Sequence, residues 1–185
     1  MALTTGIASI LAAVLIVLFY VIGGPFGTLN DIFNGVAGIL SGALAWLSFS
    51  EFRLNSSANR IAMILALIGG VIVVIGSILI VYDITGWLLA GWYTTLGNAF
   101  IGIWLFTFSY FARPSNMLPH NISTFGMIVG AIMVVGIIVI PGIVMRIDSI
   151  ESSPWFLNLG LLSYIGTYFL YPIWTIWLGR TLLSK

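Results

Sequence analysis

Six apolar stretches separated by short polar breaks run through the 185-residue chain, and they limit its fold more than any motif does. A hydrocarbon core about 30 Å thick takes roughly 20 helical residues to cross. A helix satisfies its own backbone polar groups, so it can cross where irregular chain cannot. Charged residues make up only 6 % of the sequence and fall in or next to the breaks, which no water-soluble core explains. The pattern predicts an all-α polytopic membrane protein, with six transmembrane helices in one bundle forming a single domain over residues 1–185. The spans are expected at about Gly6–Gly24, Asp31–Ser50, Arg60–Tyr82, Trp87–Phe111, Ile122–Met145 and Pro154–Leu178. Gly23-Gly24-Pro25 and Asn55-Ser56-Ser57 punctuate the breaks.

Basic residues in short loops stay on the cytoplasmic side. With the N-terminus inside, Arg53, Arg60, Arg113, Arg180 and Lys185 are inside and Arg146 alone is outside. The acids lean the other way, with Asp31, Asp83, Asp148 and Glu151 outside and Glu51 inside. Both termini are therefore expected in the cytoplasm. The first span lacks a basic leader and ends in Gly-Gly-Pro-Phe-Gly rather than a small-residue cleavage site, so it is expected to be retained. Two N-x-S triplets, at Asn55 and Asn121, fall on the predicted inside, where a glycan would overturn the topology. The basic residues form no contiguous patch, which argues against a nucleic-acid partner.

A weak internal repeat relates the second and third helices to the fourth and fifth. Asn34-x-x-x-Gly38-Ile39 matches Asn98-x-x-x-Gly102-Ile103, and Gly70-x5-Gly76 matches Gly130-x5-Gly136. Chance among 21 glycines is the alternative. Gly35, Gly38, Gly42 and Ala45 form a stripe with little bulk, as do Gly126 and Gly130, and both suit close helix packing within the chain or against another subunit. Pro141 and Pro172 fall inside the last two spans and are expected to kink them.

The residue inventory argues against catalysis. There is no cysteine, one histidine (His120, beside Pro119 in a loop) and no lysine within a span, so thiol chemistry, bis-histidine haem and a retinal Schiff base are excluded within this chain. No metal or cofactor is expected. Ion-coupled transport usually buries charged groups inside the bundle, whereas Asp31 and Asp83 sit at the outer boundary, as cavity residues or as caps and solvated loop residues. The polar pattern that remains lies on the even-numbered helices. Asn34, Asn98 and Asn158 each lie a few turns inside the outer helix ends, and Tyr164, Tyr168 and Tyr171 share a helical face by spacing. Such a cluster suits an uncharged amphiphile or small polar solute, or else supplies hydrogen bonds between helices. On the second of these readings Tyr171 belongs to the interfacial belt. Trp87, Trp92 and Trp155 at one end and Trp46, Trp174 and Trp177 at the other read as interface anchors.

The phrases Pro25-Phe26-Gly27-Thr28-Leu29-Asn30-Asp31, Leu96-Gly97-Asn98-Ala99, Tyr171-Pro172-Ile173-Trp174 and Trp177-Leu178-Gly179-Arg180 resemble small six-helix prokaryotic integral membrane proteins to which no function is assigned. Arg113, Leu118-Pro119, Gly126 and Gly130 are similar to the loop and fifth helix of such proteins. The resemblance implies a prokaryotic six-helix fold and carries over no activity. The expected function is non-catalytic: an accessory subunit of a larger membrane complex, or a binder of a lipid-like amphiphile. Its candidate ligand residues are Asn34, Asn98, Asn158, Tyr164, Tyr168, Asp31 and Asp83. The expected partners are the lipid bilayer and other membrane subunits or a second copy. The alternatives are a small-solute transporter or channel using the asparagine and tyrosine cluster, and an intramembrane enzyme.

Overall fold

A computed structural model describes residues 1–52, 56–114 and 117–184; Arg53, Asn55 and Lys185 lie outside them. Six helices among the described residues are long and apolar enough to cross a membrane, and there is no strand. They are α1 (Ala2–Ile22), α2 (Phe26–Phe52), α3 (Ser57–Val81), α4 (Trp87–Ala112), α5 (His120–Val144) and α6 (Trp155–Leu183). Gly23 and Gly24 end α1 with φ of 77° and 70°, a left-handed geometry that costs glycine little, and Pro25 follows. Ser56 starts α3, its hydroxyl accepting the Asn59 N–H at 3.2 Å. A more distant residue caps α4. The Asp148 carboxylate, from the α5–α6 connection, accepts the Gly86 N–H at 2.6 Å and the Leu89 N–H at 3.0 Å.

The two prolines rewind their helices. Pro141 has no N–H for the Ile137 carbonyl four residues back. The stretch Val135–Val139 tightens to a 3-10 helix, and the Ile140 N–H bonds that carbonyl instead. Pro172 leaves the Tyr168 carbonyl in the same position, and here Ile165–Leu170 widens to a π-helix. In a π turn the donor comes from five residues on, which passes over the proline. The remaining chain of α6 is 3-10 helix over Trp155–Leu161, a short α turn over Leu162–Tyr164 and regular helix over Tyr171–Leu183.

Consecutive helices pack side by side, and α6 closes the ring between α5 and α1, with α2 and α4 also in contact. Both termini lie at one end, where Gly179 approaches Leu3. The opposite end carries Asp31, Asp83 and Asp148 and is called the acidic end below. Backbone contact between glycines sets the helix spacing. A Cβ on Gly70 would lie 2.6 Å from the Gly38 carbonyl oxygen, and one on Gly130 would lie 2.7 Å from that of Gly102. The α2–α3 and α4–α5 hairpins therefore cross at the positions that the sequence repeat pairs. Correspondingly, Gly38 meets Val73 Cβ and Gly102 meets Met133 Cβ, each three residues past the partner glycine. Gly69 and Gly97 make the same approach between α3 and α4. The small-residue stripe of α2 thus packs inside the chain, Gly35 on Ser77 and Gly42 on Leu67.

Two tryptophans depart from the expected belts. Trp92 and Trp174 are core residues, 1 % and 0 % exposed. The Trp174 indole N–H donates to the Ile122 carbonyl at 3.1 Å, and its ring packs edge-on to Trp104 and Phe108. Trp46, Trp87, Trp155 and Trp177 are exposed near the helix ends.

Candidate functional site

Asn30, Asn34, Ser41 and Ser48 run along one buried face of α2. Their spacings of four and seven residues keep them in register on a helix. Across the bundle α6 supplies matching hydroxyls. The Asn34 side-chain amide donates to the Tyr168 hydroxyl at 3.0 Å and to Asn30 Oδ1 at 3.2 Å. Asn30 in turn donates to the Ala12 carbonyl of α1 at 2.7 Å. One turn further from the acidic end of α6, the Tyr171 hydroxyl donates to Ser41 Oγ at 2.8 Å, and Ser41 donates to the Ala37 carbonyl at 2.7 Å. These bonds tie α1, α2 and α6 together through the middle of the bundle.

Between them lies a narrow polar pocket. Its walls are Ser9 of α1, Asn34 and Ser41 of α2, Asn98 of α4, and Thr167, Tyr168 and Tyr171 of α6. It has room for about one water-sized group. Two of its polar side chains are not consumed by the fold. The Asn98 amide lines the pocket and makes no hydrogen bond to another described residue. The Thr167 hydroxyl is fully buried and has no partner. An amide offers two donors and an acceptor, and a hydroxyl offers one donor and two acceptor positions. Leaving such groups bare in an apolar interior costs about 1–3 kcal/mol each.

Toward the acidic end α1 is less closely packed. The close approaches of α1 to α6 are at Gly6, beside Pro172, Thr175 and Ile176, and at Gly179, beside Leu3. No residue of α1 beyond Ala12 is buried. Tyr164 and Tyr168 are half-buried there, their rings edge-to-face with centroids 5.6 Å apart.

Of the residues expected from the sequence, Asn34, Asn98 and Tyr168 meet at the pocket. Asp31 is half-buried one turn from Asn34 and does not line the pocket. Asn158 does not converge. It is exposed, because the 3-10 winding at the start of α6 advances its residues by a larger angle than an α-helix does. Asp83 is also removed from the site, as an exposed turn residue with φ 57° after α3. Tyr164 does not follow its two neighbours onto α2. Its hydroxyl lies 3.4 Å from that of Thr95 on α4, since the π segment breaks the simple four-and-three face. Tyr171, a belt residue on the helix-packing reading, is 3 % exposed and bonded to Ser41 inside. Sequence reasoning missed Asn30, Ser9 and Thr167. The four-residue step from Asn30 to Asn34 was a readable signal; small hydroxyls on apolar helices carry none. No group of three or more His, Asp or Glu among the described residues is placed to hold a metal. Comparison with protein-family models, with curated proteins and with solved structures finds no match to this chain.

Proposed function

We propose that this chain is a multi-pass protein of a prokaryotic cytoplasmic membrane, with both termini inside, that binds a lipid-like amphiphile through a polar pocket between α1, α2, α4 and α6. The orientation rests on the five-to-one distribution of basic residues. The observation that carries the binding reading is the Asn98 amide, which lines the pocket with no hydrogen bond to another described residue, while the amide nitrogen of its counterpart Asn34 donates to both Asn30 and Tyr168. The pocket's size favours an amphiphile over a whole solute. A space for about one water takes a single hydroxyl, carbonyl or amine, and the rest of the molecule must lie outside it. The exposed Ile165 and Phe169 on α6 give an apolar tail somewhere to lie.

The test is native mass spectrometry of the protein extracted in a mild detergent, compared with Asn98→Leu and Asn34→Leu. Wild type is expected to retain a small amphiphile. Asn98→Leu is expected to lose it with an unchanged melting temperature, because no bond within the protein is removed. Asn34→Leu breaks bonds to Asn30 and Tyr168 and is expected to lower the melting temperature. Equal retention by wild type and Asn98→Leu would refute the proposal. A second reading, passage of a small uncharged solute, is favoured by the end-to-end polar face of α2. It requires the Tyr171–Ser41 contact to open, and Asn98→Leu would then abolish flux into proteoliposomes.

A further inference from the structure

The two halves of the repeat bring the same residue to the pocket in different states. Asn34 and Asn98 each stand four residues before the glycine, Gly38 or Gly102, at which their hairpins cross, and both line the pocket. On α2 both amide protons are spent, one on Asn30 Oδ1 at 3.2 Å and one on the Tyr168 hydroxyl oxygen at 3.0 Å. On α4 neither is. The position matching Asn30 holds Thr94, whose hydroxyl donates to the Ala90 carbonyl at 3.3 Å. Tyr164 makes no bond to Asn98 either, because its hydroxyl stands 3.4 Å from that of Thr95, three residues short. Helix α6 therefore delivers an oxygen acceptor to one amide and not to its twin. Nothing else in the pocket takes that place: Ser9 donates to the Thr5 carbonyl at 3.0 Å, and Tyr171 and Ser41 are bonded to each other. Thr167, 9 % exposed, lines the same pocket with its hydroxyl unpartnered. No Asp, Glu, Lys, Arg or His is among the described residues that line it.

We infer that the group missing from Asn98 is an uncharged oxygen acceptor, so that the ligand is a neutral amphiphile with a hydroxyl or carbonyl head, held by Asn98 and Thr167 as the Tyr168 oxygen is held by Asn34. This rests on the binding reading above and narrows it. An oxygen with two lone pairs accepts the Asn98 N–H and the Thr167 O–H together, and it fits a space for about one water. A protonated amine offers donors alone. It engages only the oxygens of Asn98 and Thr167, leaves the amide protons bare, and carries its charge into a pocket without an acid to offset it. A carboxylate finds the donors but no cation.

The probes are 1-dodecanol, 2-tridecanone, dodecylamine and laurate, added to the full chain in maltoside micelles at neutral pH. Melting temperature, followed by tryptophan fluorescence, is measured against probe concentration for wild type, Asn98→Leu and Thr167→Val. A ligand that binds only the folded chain raises it saturably, whereas an effect of the probe on the micelle is common to all three proteins. The alcohol and the ketone should raise the wild-type value, and the amine and laurate should shift it no more than they shift Asn98→Leu. Each substitution should weaken alcohol and ketone binding about tenfold or more, since each removes one bond to the head. Thr167→Val deletes an unbonded hydroxyl at nearly constant volume, which keeps the test decisive should Asn98→Leu not fold. The order of alcohol and ketone tells a hydroxyl head from a carbonyl head, and either supports the inference. Amine or laurate binding as tight as the alcohol, with Asn98→Leu weakening every probe, would overturn the neutral oxygen head and leave the pocket reading standing. No difference between wild type and the variants for any probe would overturn both.

Discussion

Alanine substitution at the paired glycines tests the packing directly. In a helix interior, Gly→Ala contributes about 1 kcal/mol of helix propensity where nothing obstructs the new methyl. Gly42 is such a site, because its Cβ would lie 3.5 Å from Leu67 Cδ2, ordinary contact distance. At Gly70 the methyl would lie 2.6 Å from the Gly38 carbonyl oxygen, and at Gly130 it would lie 2.7 Å from the Gly102 oxygen. Both obstacles are backbone of a packed helix, so no rotamer change relieves them and the hairpin must spread by several tenths of an ångström. Overpacking of this kind costs about 1–3 kcal/mol. A gap of about 0.5–1 Å also forfeits a quarter to a half of each dispersion contact along the seam. Against the propensity gain, Gly70→Ala and Gly130→Ala should each lose about 1–2 kcal/mol net, while Gly42→Ala should be neutral or stabilised by up to about 1 kcal/mol. Thermal unfolding in one detergent, followed by tryptophan fluorescence, should show the two crossing variants several degrees below wild type, at about 2–4 °C per kcal/mol. If Gly70→Ala melted with Gly42→Ala, close backbone contact would not be what holds α2 to α3.

Asp148→Ala should cost about 1–2 kcal/mol by removing the cap of α4, and speed hydrogen exchange at the Gly86 and Leu89 amides specifically. Gly86→Ala should do likewise, since its Cβ would sit 2.6 Å from the Asp148 carboxylate oxygens; unchanged exchange in both would remove the cap from the account. Trp174→Phe should destabilise by about 2 kcal/mol, from the lost bond to the Ile122 carbonyl and the cavity left beside Trp104 and Phe108. An unshifted melting temperature would place Trp174 back in an interfacial role.

The six helices were legible because hydrocarbon thickness, helix rise and the scarcity of charge leave little choice. Their depth of packing was less so. Trp92 and Trp174 carry the same aromatic signature as the exposed Trp87 and Trp177, and only neighbours distant in sequence decide which are enclosed. Asn34, Asn98 and Tyr168 were legible as polar groups on apolar helices. Asn158 and Tyr164 were misplaced for one reason: their positions were projected on an ideal α-helix, whereas α6 begins in a 3-10 turn and passes through a π segment. Pro172 marked the disturbance without showing that the helix would widen rather than bend.

The polar groups of the pocket are concentrated on α2, α4 and α6, and these are also the three less apolar spans, each following a more apolar one. During synthesis that alternation has an order to it. Under the proposed membrane placement, a strongly apolar helix enters the bilayer first and the weaker one arrives with a partner already in place, so α2 follows α1, α4 follows α3, and α6 follows α5. The last of these brings Thr167, Tyr168 and Tyr171, so the pocket does not exist until the chain is nearly finished. A chain cut short before Trp155 would leave Asn34 without Tyr168 and the Asn98 side of the pocket without the wall that α6 supplies.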